Sequence, residues 1–62
     1  MALTKQQIAA LNMAKFIKFQ SLLLLDKLSE LNLDAQAADC ERLHELAEAL
    51  HDGLSEALEA AP

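Results

Sequence analysis

The sequence predicts an all-α protein, a helical hairpin that homodimerises into an antiparallel four-helix bundle. Three observations carry this. The 62-residue chain is rich in Leu, Ala, Glu, Lys and Gln, with one Gly, one Pro and no Val, Tyr or Trp. Strong helix formers therefore fill it, and strand formers are nearly absent. Apolar and small residues recur at a mean spacing of about 3.5 in two separate segments, the mark of heptad helices. Between those segments lies one short break, Asn32-Leu33-Asp34. The length allows a single domain, residues 1–62. A chain this short buries only about 60% of its unfolded surface and is marginal alone. It needs a disulfide, a metal, very good helix packing or a partner chain.

Helix 1 is expected over about 5–31. Thr4 followed by Gln7 makes a capping box, with Leu3 and Ile8 at the positions of a hydrophobic staple. Its seam is Ala10, Ala14, Ile17, Ser21, Leu24, Leu28, Leu31, in alternating steps of four and three. Ser21, the polar member, is expected to bond a carbonyl one turn earlier and to help specify register. Leu11 and Leu22 lie off the seam, over the inter-helix groove. The turn is placed at about 32–34. Asn32 takes the left-handed conformation that ends a helix, and Asp34 is the expected N-cap of the next. Helix 2 is expected over about 35–58, with seam Cys40, Leu43, Ala47, Leu50, Leu54, Ala57. Gly53 interrupts it on the polar side, at about 1 kcal/mol relative to Ala. Residues 59–62 read as a frayed tail. Two heptad helices joined by so short a turn must fold back on each other. One hairpin leaves half of each seam uncovered, and a second copy covers it, so the thirteen seam positions form the expected dimer core.

Several functions are disfavoured. No nucleophile–base pair, Gly-rich phosphate loop or carboxylate dyad is visible, so no catalysis, cofactor or small-molecule substrate is expected. The HELAE run at His44 misses the H-E-x-x-H zinc signature, because residue 48 is Glu. Cys40 and His44 are four apart, but Cys40 falls in the seam and His44 off it, so no metal site is expected. His44 and His51 are expected at the bundle edge. The lone thiol excludes an intrachain disulfide and fits a reducing cytosol. The longest run of large apolar residues is Leu22–Leu25, far short of the roughly 20 that a membrane span needs, so no membrane partner is expected. MALTKQQ lacks a signal-peptide pattern.

Charge divides the chain. Residues 1–31 hold four lysines against Asp26 and Glu30, net +2; residues 32–62 hold Arg42 against eight acids, net −7; the total is −5. Only helix 1 can welcome a polyanion. At about 100° per residue, Lys5, Asn12, Phe16, Gln20 and Lys27 fall within roughly 80° on the side away from the seam. Lys15 and Lys18 lie toward one flank. Ammonium groups neutralise phosphates, amides bond phosphate, 2′-OH or base edges, and an exposed ring packs on sugar or base. A solvated face or a protein contact would show the same residues.

The segments TKQ at 4–6, ALNMAKFIKFQ at 10–20, LLDKLSEL at 24–31 and CERLHELAEAL at 40–50 resemble the Rop (repressor of primer, or Rom) family, without gaps from Thr4 to about Leu58. The resemblance implies a homodimeric antiparallel four-helix bundle in the bacterial cytoplasm. It implies an RNA partner, the kissing complex of antisense and primer-precursor hairpins of ColE1-type plasmids, whose stabilisation lowers copy number. Asn12, Phe16, Gln20 and Lys27 sit where the family's main RNA contacts sit, and Lys5 also matches. Lys15 and Lys18 stand where the family has arginines, keeping charge but losing the planar fork. The implied RNA-binding set is therefore Lys5, Asn12, Lys15, Phe16, Lys18, Gln20 and Lys27. Phe19 and Leu23 replace smaller polar residues of the family and Ile8 a charged one. They enlarge the apolar area as a packed flank, a self-association patch or an extra RNA contact. The rival reading is a structural or protein-interaction bundle, a Rop-like scaffold without RNA binding.

Overall fold

Thr4 begins the first helix as the sequence requires. Its hydroxyl accepts the Gln7 amide at 3.1 Å, and the Gln7 side chain accepts the Thr4 amide at 2.8 Å. This closes a full capping box and satisfies donors that a helix N-terminus otherwise leaves unpaired. The computed structural model describes residues 3–60. Two helices make up the described chain, α1 (Lys5–Glu30) and α2 (Asp34–Ala60).

α1 ends in a Schellman motif. The Leu33 amide donates to the Leu28 carbonyl and the Asn32 amide to the Ser29 carbonyl, each at 3.1 Å. Asn32 carries the positive φ of 59° that this closure needs, a conformation Asn tolerates better than most side chains. The Ala37 amide then donates to the Leu33 carbonyl at 2.8 Å. Leu33 thus holds the N-cap slot expected of Asp34, and Asp34 moves into the first turn. There its charge favours the positive end of the helix dipole. α2 passes through Gly53 without a break and reaches Ala60. Residues 61 and 62 of the expected tail lie outside the described residues.

The helices touch through small side chains. Ala14 and Ser21 of α1 and Cys40 and Ala47 of α2 are buried, while Leu28 and Leu54 are half-buried. Small residues at the contact let the helices approach closely but leave little apolar volume between them. The hairpin measures 46 × 16 × 10 Å, about one helix thick. Among the described residues no large side chain is fully buried. The remaining seam positions, Ala10, Ile17, Leu24, Leu31, Leu43, Leu50 and Ala57, stay exposed in the single hairpin.

His44 is half-buried at the rim of the contact, the edge position expected of it, but its ring turns further inward than the heptad angle suggests. It faces α1, with 15% of its side chain exposed. Its ring fills space that small neighbours leave open. α1 is also long and apolar enough, by length and composition, to cross a membrane. This corrects the argument from the longest apolar run, because isolated Lys and amide residues divide an otherwise apolar helix. The signal is weak, since a helix with apolar flanks on two sides has the same composition. Lys15 and Lys18 would stand in mid-span, each at about 2.5–3.5 kcal/mol near a bilayer centre.

A Cβ added to Gly53 meets nothing within 4 Å, so its only effect is on backbone entropy. Gly53→Ala is expected to stabilise the protein by about 0.5–1 kcal/mol. Urea unfolding checks this, and a loss of stability would place Gly53 against a partner surface.

Candidate nucleic-acid interface

The direction in which α1 points its outer face is set by how it seats on α2, and a small polar cluster holds that seat. The Ser21 hydroxyl donates to the Lys18 carbonyl at 2.7 Å, the expected bond to the preceding turn. His44 Nδ1 lies 2.8 Å from the same hydroxyl and 3.1 Å from the same carbonyl. A carbonyl only accepts, so Nδ1 carries the proton that both oxygens share. The Cys40 thiol donates to the Ser21 carbonyl at 3.3 Å. Moving α1 along or around its axis would break these largely part-buried bonds. His44 Nε2 looks outward to Glu48, 3.3 Å away.

With that seat fixed, α1 carries Lys5, Asn12, Phe16, Gln20 and Lys27 at solvent-exposed positions. Their span is roughly 33 Å at about 1.5 Å per residue. Phe16 is 62% exposed, and Lys27 pairs with Glu30 at 3.5 Å on the surface. Surface pairs of this kind contribute little and exchange easily, so Lys27 stays available to an anion. Lys15 is exposed beside the stripe. Lys18 stands apart: it is half-buried and lines a groove toward α2 with Phe19, Leu22, His44, Glu48 and His51.

The two flanks of the hairpin differ. On one side Ile17 and Leu24 of α1 and Leu43 of α2 line an open apolar recess that Phe16, Gln20 and Ser21 also border. The stripe therefore runs along the edge of an uncovered apolar surface. The opposite groove is lined by both lysines and by α2's Glu48 and histidines. Leu23, exposed seven residues after Phe16, joins the stripe, and the same seven-residue step that links Lys5 to Asn12 would have revealed it. The inward turn of His44 had no such signal. Among the described residues, no group of three His, Cys, Asp or Glu side chains could hold a metal ion.

Among the described residues, the outer surface of α1 thus carries a cationic, amide-bearing and aromatic stripe beside an apolar flank. The "Rop protein" family matches residues 3–59. The "Regulatory protein rop" of Escherichia coli is 55% identical over 49 residues, covering 79% of this chain and 78% of that protein. No solved structure gives a significant match. The chain belongs to the Rop family, and it is accordingly a regulatory protein rather than an enzyme.

Ser21→Ala is expected to cost about 1 kcal/mol, the usual worth of a buried hydrogen bond, read as a lower urea midpoint at unchanged slope. An unchanged midpoint would mean that the Ser21–His44 cluster does not hold the hairpin register.

Proposed function

We propose that two copies of this hairpin form an antiparallel four-helix bundle whose paired α1 helices bind the kissing complex of two complementary RNA hairpins. Stabilising that complex between an antisense RNA and a primer precursor lowers plasmid copy number, and the protein works in the bacterial cytoplasm. The observation that carries this reading is the position of the α1 stripe along the rim of the open apolar flank. The exposed Ile17, Leu24, Leu31, Leu43 and Leu50 are expected core positions with nothing over them in one hairpin. Covering the rest of each contributes roughly 1 kcal/mol, which makes a second copy the natural occupant.

A two-fold axis through that flank sets α1 beside its symmetry mate. The two stripes then join into one face of twice the width, with the Phe16 pair near its centre. Two hairpins paired through their loops are themselves nearly two-fold symmetric, so one symmetric face can straddle them. Recognition is of shape and backbone: lysines to phosphates, Asn12 and Gln20 to phosphate or 2′-OH, Phe16 against sugar or base. The acidic α2 helices repel RNA and confine it to the α1 side.

The test is a gel shift with the two hairpins singly and as the kissing pair, at two salt concentrations. Binding is expected to favour the pair and to fall steeply with salt. Phe16→Ala is expected to weaken it at least about fivefold with unfolding unchanged, because the ring faces out. Binding that ignores salt, or a folded protein that binds no RNA, would overturn the reading in favour of a protein-interaction bundle.

A further inference from the structure

Phe19 is 57% exposed; it borders the groove toward α2 and takes no part in lining the open flank that a second copy would cover. With Asn12, Lys15 and Phe16 it lines a shallow recess on the outer surface of α1. We propose that this recess is a nucleobase subsite, holding one unstacked base of the bound RNA against the Phe19 ring. The inference rests on the RNA-binding function proposed above and extends that face beyond the stripe.

The recess combines what a base needs. Phe16 and Phe19 offer two ring surfaces for stacking. The Asn12 amide carries both a donor and an acceptor for a base edge. Lys15 makes no ion pair among the described residues, so its ammonium group is open to the phosphate of the same nucleotide. Asn12 and Phe16 belong to the stripe as well, so whatever enters the recess must be continuous with the ligand already lying there. An apolar protein segment would leave the amide and ammonium groups facing it without partners. A base inside a duplex has both faces covered by its neighbours, so the occupant must be unpaired. The recess lies on the side of the stripe away from Ile17 and Leu24. In the paired bundle its two copies sit at the outer margins of the joint face. Any unpaired loop nucleotide that flanks a loop–loop helix lying along the centre would fall there.

The experiment uses the kissing pair with 2-aminopurine at the unpaired loop positions next to each stem. Wild-type protein is expected to quench its fluorescence as the base stacks. Phe19→Ser should abolish the quenching and weaken binding at least about fivefold, the lower end for losing one base–aromatic stack. Phe19→Tyr should keep both. Sedimentation of each variant should show unchanged mass. Equal affinity and quenching for wild type and Phe19→Ser would overturn the subsite while leaving the RNA-binding function standing. A Phe19→Ser protein of lower mass with unchanged RNA affinity would also overturn it, and would make Phe19 a contact between bundles. If wild-type protein bound no kissing pair, the function and the subsite would fall together.

Discussion

Everything in this molecule depends on the small residues at the α1–α2 contact. Ala14, Ser21, Cys40 and Ala47 are the buried positions, and they let two long helices lie close without wide side chains between them. The large apolar residues consequently have nowhere to go inside the hairpin. They spread over its flanks, and the fold is left about one helix thick. Such a hairpin has too little interior to be stable by itself. In the proposed dimer, stability and the binding face would therefore depend on the same second copy.

The polar cluster at the centre of that contact adds direction to closeness. Alanine pairs can slide past one another, whereas the Ser21 hydroxyl, the Lys18 carbonyl, His44 and the Cys40 thiol meet only in one register. Once register is fixed, the heptad fixes the rest. Residues seven apart repeat on nearly one line, so the pairs Lys5 and Asn12, Phe16 and Leu23, and Gln20 and Lys27 recur along the one stripe of α1. The charge division acts at a larger scale, with α1 cationic and α2 strongly acidic. A polyanion approaching the hairpin would meet an attractive side and a repulsive side.

Much of this was legible in the sequence. The capping box, the left-handed Asn32, the two heptads and the back-bonded Ser21 all follow from local rules, because each depends on neighbours within one turn of helix. The outward direction of Phe16 was equally legible, since a seam defines its own far side. What the sequence concealed lies between the helices. A heptad gives every position an angle but not what faces it across the contact, so His44 was legible as a bundle-edge residue while its bonds to Ser21 and Lys18 were not. The N-cap at Leu33 was hidden for a related reason: the Schellman closure shifted the start of α2 by one residue. Run length missed the overall apolarity of α1, whose lysines and amides are spaced to serve several faces at once.

The proposed function requires two α1 stripes to join into one surface, and that is a matter of distance. Spin labels at Gln20→Cys, in a Cys40→Ala background, would report it directly by double electron–electron resonance. Neighbouring helices pack about 8–10 Å apart, so stripes side by side put the labels within roughly 20 Å of each other. A distribution centred there would establish the joint face. Separations beyond roughly 30 Å, from labels on opposite sides of a bundle about two helix diameters wide, would show the stripes facing apart and would contradict it.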